Sequence, residues 1–98
     1  MTYQSKFKSK DIDELFEAIL TLKNEEECYR FFEDVCTVNE IHAIAQRLQV
    51  AKLLNKKKTY TEIENETKAS TATISRINKC LMYGADGYKI VLSRLKDD

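Results

Sequence analysis

Residues 59–82 read TYTEIENETKASTATISRINKCLM, and this stretch decides the fold. Thr59 followed three positions later by Glu62 is a capping-box pattern, in which each side chain satisfies a backbone amide beside the other at a helix start. It predicts a short helix to about Thr67 with Ile63 turned inward, then a sharp turn at Lys68-Ala69-Ser70. In the helix that follows, Ile74, Ile77 and Leu81 recur at helical spacing, while Ser70, Thr71, Ala72, Thr73 and Ser75 make its leading end small or hydroxylated. Such an end lets the backbone come close to another molecule.

Upstream, Thr37 and Glu40 repeat the capping pattern ahead of Ile41, Ile44, Ala45, Leu48, Ala51 and Leu54, which predicts the longest helix. It ends in Asn55-Lys56-Lys57-Lys58, where positive charge suits both the negative end of the helix dipole and contact with phosphate. Asn24 and Glu27 predict a further start, with Cys28, Phe31, Phe32 and Val35 as its apolar face and an end near Cys36. Ile12, Leu15, Phe16, Ile19 and Leu22 predict a first helix over Asp11 to Leu22. Downstream, Gly84 is expected to stop its helix in a left-handed conformation, and Asp86 to Leu95 to form a last helix with Ile90, Val91 and Leu95 as apolar contacts. The result is an all-α chain of six helices, since no alternating run invites a strand.

The 98 residues suit one domain, 1–98, with 43% hydrophobic and 33% charged residues, no proline, and glycine only at Gly84 and Gly87. No apolar run approaches the roughly 20 residues of a membrane span, and the start MTYQSKFKSKDIDE lacks the apolar region of a signal peptide, so a cytoplasmic protein is expected. Cys28, Cys36 and Cys80 are an odd set without CxxC spacing and are expected as buried free thiols, not as a disulfide framework or zinc site. His42 has no companion ligands, and no nucleophile, base and orienting residue stand together, so neither a metal or other cofactor nor an enzyme is indicated. The formal net charge of zero hides an asymmetry: residues 1–50 carry six basic and ten acidic side chains, and residues 51–98 carry ten and six. The basic second half can attract phosphate although the total is neutral.

A short support helix, a tight turn and a second helix with an exposed N-terminal face are the parts of a helix-turn-helix, whose second helix enters the major groove of double-stranded DNA. Residues 59–82 supply these parts. Ser70, Thr71, Ala72, Thr73 and Ser75 are then candidates for close DNA contact, with Lys56, Lys57, Lys58, Arg76 and Lys79 adding charge toward the backbone.

The runs TVNEIHAIAQRLQVAKLL and TYTEIENETKASTATISRINKCL resemble the Trp repressor family, in particular its YerC/YecD-type branch, over Thr37 to Leu95. ASTATISR is similar to that family's recognition-helix signature, and Gln46-Arg47 followed 29 positions later by Arg76 matches its paired arginines. The resemblance implies a six-helix fold in which two chains interlock as a homodimer through N-terminal helices, here residues 10–36, and act as a repressor on palindromic operators. The aromatic and aliphatic faces near Phe16, Phe31 and Phe32 accommodate such a dimer, being generous for a chain of this length.

The resemblance also implies an effector pocket at Thr37, Arg47, Arg76, Ile77 and Cys80, and here the chain departs from the pattern. Members that bind tryptophan hold its ring between the two arginines beside a glycine, which Ile77 replaces, and a serine at the position of Cys80 helps bind the amino group. A branched side chain fills the slot and a thiol is a poor hydrogen-bonding substitute, which argues against tryptophan as corepressor. Thr61 and Glu64 stand where those members carry basic phosphate contacts, and Lys68 replaces the expected turn glycine. With zero net charge, these departures keep open an alternative, a helical protein-interaction module that has lost sequence-specific DNA binding.

Overall fold

The computed structural model describes residues 3–95, which form six helices and, among the described residues, no strand. The chain groups into two compact units, Met1–Val38 and Asn39–Asp98.

The first unit holds α1 (Lys10–Ile19) and α2 (Glu25–Val35). Ser9 caps α1 by accepting from the Ile12 amide at 3.2 Å, and Asp11 and Asp13 complement the positive helix end. The helix stops short of the predicted Leu22. Thr21 and Leu22 turn their amides onto Ala18 and Ile19 carbonyls three residues back, and the Thr21 hydroxyl donates to Ala18 at 2.6 Å. Asn24 caps α2 as its sequence predicts, accepting from the Glu27 amide at 2.9 Å. The returning Glu27 carboxylate accepts from the Lys23 amide instead of the Asn24 amide. Neither helix contains a buried residue: Phe16 is 56% exposed, and Phe31 and Phe32, packed edge to face at 5.4 Å, are half-buried.

The second unit is built from α3 (Val38–Asn55), α4 (Tyr60–Thr67), α5 (Thr71–Tyr83) and α6 (Gly87–Arg94). Its core is small: Val50 and Ala51 of α3, Ile63 of α4, Ala69 of the turn, and Ile74 and Ile77 of α5, flanked by half-buried Leu53, Leu54, Tyr60, Tyr88 and Leu92. The predicted inward positions Ile63, Ile74 and Ile77 therefore stand, while Leu81 is only half-buried. Ile41 and Ile44, in the first turns of α3, remain exposed. After Asn55 the chain closes in a Schellman arrangement, with the Lys57 amide on Leu54 and the Lys58 amide on Leu53, and Lys57 left-handed at φ 65.

Three further expectations are corrected. Gly84 is not left-handed, having φ −84; glycine is needed because an added Cβ would meet the Cys80 carbonyl oxygen, onto which the Gly84 amide closes at 2.8 Å. The positive φ falls on Asp86. On α6, Tyr88 and Leu92 pack against the core, whereas Ile90, Val91 and Leu95 are each close to half exposed. The cysteines are free thiols but not buried: Cys28 and Cys80 are exposed and Cys36 is half-buried. Cys28 belongs to a helix that buries nothing, and Cys80 lies off the Ile74–Ile77 stripe.

The capping box of α4 is complete. Thr59 Oγ1 accepts from the Glu62 amide at 3.2 Å, and the Glu62 carboxylate accepts from the Thr59 amide at 2.8 Å. That backbone hydrogen bond, then the one with the Thr59 side chain, holds the Glu62 carboxyl below its ordinary pKa. Thr59→Ala should cost about 1 kcal/mol in urea unfolding. Because the folded-state pKa is depressed, the Glu62 contribution is present above the unfolded carboxyl pKa and is lost as pH falls through the folded one. Glu62→Gln should flatten that segment of the stability-versus-pH curve.

Candidate nucleic-acid interface

The turn between α4 and α5 is fixed by local hydrogen bonds. Thr67 Oγ1 donates to the Ile63 carbonyl at 2.7 Å and accepts from the Ala69 amide at 3.2 Å, while the Lys68 amide closes onto Glu64 at 2.9 Å. Lys68 is left-handed at φ 64, so the conformation favoured by glycine is retained without glycine. Lys68→Gly should raise stability by up to about 1 kcal/mol in the same urea measurement, by relieving the Cβ contact. Gln46 Nε2 donates to the Thr67 carbonyl at 2.9 Å, which ties the end of α4 to α3. Gln46, read in the sequence only as part of a signature, thus has an orienting role. It also lines an open groove of about 550 Å³ with Asn39, His42, Gln49 and Glu66; Arg47, Arg76, Ile77 and Cys80 are not among the lining residues.

Ser70 caps α5, accepting from the Thr73 amide at 3.2 Å and donating its hydroxyl to Thr73 Oγ1 at 3.0 Å. Thr71 Oγ1 donates to Glu64 Oε2 at 3.2 Å. The hydroxyls grouped at this end by sequence are therefore used first to build it, and Thr73 is half-buried. Ala72, Ser75, Arg76 and Lys79, at successive spacings of three, one and three, lie along the face opposite Ile74 and Ile77, and all four are exposed. A small residue in the first turn, a hydroxyl one turn later and two cations beyond it form one outward stripe. Lys56, Lys57 and Lys58 are exposed at the loop preceding α4.

Of the predicted effector residues, Thr37 falls in the first unit and is exposed, while the other four lie in the second. Ile77 is 3% exposed and belongs to the core cluster, so its side chain fills space. The sequence reading missed Tyr88. Burial pushes its phenol pKa up, the nearby Cys80 thiol adds to this, and the positive charges of Arg47 and Arg76 oppose it. An aromatic ring from α6 thus stands within electrostatic reach of both arginines. The available signal was the four-residue spacing of Tyr88 and Leu92.

A capped support helix, a left-handed turn and a second helix with an outward small-to-basic stripe define a helix-turn-helix protein. The sequence profile of the Trp repressor protein matches residues 10–96, and the chain belongs to the Trp repressor family, a family of regulatory DNA-binding proteins and not of enzymes. The match reaches α1 and α2, beyond the stretch that carries the signature. The uncharacterised protein YerC of Bacillus subtilis is 56% identical over 92 residues, covering 94% of this chain and 88% of YerC. A crystal structure from Staphylococcus aureus, described as a candidate Trp repressor, superposes with a TM-score of 0.87 at 56% identity, covering 91% of this chain and 89% of that one. A TrpR-like protein from Eubacterium eligens superposes with a TM-score of 0.86 at 52% identity, covering 94% and 98%.

Proposed function

We infer that this chain is a sequence-specific transcriptional regulator, a cytoplasmic repressor that binds palindromic operator DNA as a homodimer. The observation that carries the reading is the outward stripe of α5, Ala72, Ser75, Arg76 and Lys79, fixed by the Ser70 cap and the Lys68 turn. Ala72 and Ser75 let the helix sit close to base edges, and Arg76 and Lys79, with Lys56 to Lys58, neutralise phosphate. Thr71 and Thr73 contribute first by holding the leading turn, and exposed Thr71 adds a methyl group for contact with thymine. Residues 10–36 supply the dimer contacts within a single interlocked domain, because the chain's own core consists of six buried residues among those described and leaves α1 and α2 without any. Two-fold symmetry sets the half-sites about one helical turn of DNA apart.

Selection from randomised duplex DNA, followed by binding of the enriched site at several salt concentrations, tests this reading. A palindromic site whose affinity falls steeply with salt supports it; no enriched site and no salt dependence overturn it. A second reading, a protein-interaction module on the same helical dimer, is favoured by the Glu64 carboxylate at the head of α5, and it gains if selection fails.

The regulator does not use tryptophan as corepressor, since Ile77 is packed into the core where a ring would need space. Calorimetric titration of the dimer with tryptophan should give no saturable heat, and addition of tryptophan should leave operator affinity unchanged. A saturable isotherm would contradict the Ile77 argument directly.

A further inference from the structure

Glu64 is hard to reconcile with a helix end that only grips phosphate. It is half-buried on α4, and its Oε2 accepts from the hydroxyl of Thr71, the first residue of α5, at 3.2 Å. The carboxylate therefore stands at the N-terminal turn of α5, where free amides and the helix dipole would otherwise draw an anion. An internal negative charge there suits the helix and repels an incoming phosphate. What it attracts is a hydrogen-bond donor, because an ionised carboxylate only accepts and a single bond from Thr71 leaves acceptor capacity over.

In the major groove the donors on base edges are the exocyclic amines of cytosine and adenine. Adenine places the N7 acceptor beside its amine, where the second carboxylate oxygen would be repelled. Cytosine N4 has no such neighbour on its own edge. The geometry points to Glu64, held by Thr71, as a specificity-determining residue that accepts from cytosine N4 and keeps phosphate off the first turn of α5. This inference rests on the DNA-binding reading above.

The test is selection from randomised duplex DNA with the whole dimeric chain as wild type, Glu64→Gln and Glu64→Ala, each then measured on its enriched site and on non-specific duplex. The wild-type profile should require cytosine at one position of each half-site. Glu64→Ala should lose that preference by about tenfold or more while keeping the other positions. Glu64→Gln, which can still accept from Thr71 and adds a donor, should shift the same position toward adenine, whose N6 and N7 match an amide. Both variants should bind non-specific duplex more tightly than wild type, a repulsive charge having been removed.

A wild-type site whose profile is unchanged in Glu64→Ala overturns the Glu64 inference alone, as does a Glu64-dependent position that prefers any base other than cytosine. Failure of the wild type to enrich any site overturns the DNA-binding reading and takes this inference with it. The two failures are thus separable.

Discussion

Ala72→Asp should remove specific DNA binding while leaving the fold intact. Ala72 is exposed in the first turn of α5, on the face opposite Ile74 and Ile77, so the new side chain displaces no packing. Aspartate in a first turn complements the helix dipole, and the Ser70 cap does not involve residue 72. Thermal unfolding should therefore match or slightly exceed wild type. On DNA the same change places a carboxylate on the stripe that carries Ser75, Arg76 and Lys79, repelling phosphate and blocking close approach. Losing one base-pair equivalent of recognition costs about 1–3 kcal/mol, and the proposed homodimer would lose it at both half-sites, about 2–6 kcal/mol, roughly a 30-fold to 20,000-fold loss of operator affinity. Fluorescence anisotropy on the enriched site measures it. A folded variant with near wild-type affinity would place the reading face elsewhere.

Ala72 and Thr73 show where sequence and structure part. Both are small residues at one helix end, and composition groups them together. Only the cap geometry separates a half-buried Thr73, engaged by Ser70, from an Ala72 that faces outward. Helix starts were legible where a cap is a local device: Asn24 and Thr59 each accept from an amide three residues on, as their spacing predicts, and Ser70, expected only in the turn and at the hydroxylated end, does the same. The core stripe of α4 and α5 was legible for a similar reason, since Ile63, Ile74 and Ile77 are the apolar residues of otherwise polar turns.

On α6 that logic fails. Tyr88, Val91, Leu92 and Leu95 fall at spacings of three, one and three and make one apolar face, with Ile90 off it, and periodicity alone does not say that the core meets only its Tyr88 and Leu92 edge. The chain uses Tyr88 and Leu92, and by doing so brings a phenol near Arg47, Arg76 and Cys80. The exposed cysteines and the exposed Ile41 and Ile44 have a related cause, because apolar character alone does not say which residues a chain buries in its own core. Gly84 was misread because two different demands, a left-handed turn and a close backbone approach, select the same residue.

The half-exposed apolar stripe of α1 carries the other large expected effect. Phe16→Asp should separate the protomers and take most of the folding stability with them. Phe16 is 56% exposed and Leu15 is 40% exposed on a helix that buries no residue, while Ile12 and Ile19 of the same helix are half-buried. Completing the burial of this half-exposed phenylalanine at an interface contributes about 1–1.5 kcal/mol, and the proposed two-fold interface counts it twice, about 2–3 kcal/mol. That weakens association by about one and a half to two orders of magnitude before the desolvation of the introduced carboxylate is added. Sedimentation equilibrium should show a wild-type dimer and a variant monomer at the same concentration. Wild-type Tm should rise with protein concentration, since a dimer that buries its helices only on association is stabilised by mass action. Glu17→Lys, an exposed change on the polar side of α1, is the control and should alter neither. If Phe16→Asp stays dimeric, or if the wild-type Tm is independent of concentration, the apolar face of α1 is not the surface that joins two chains.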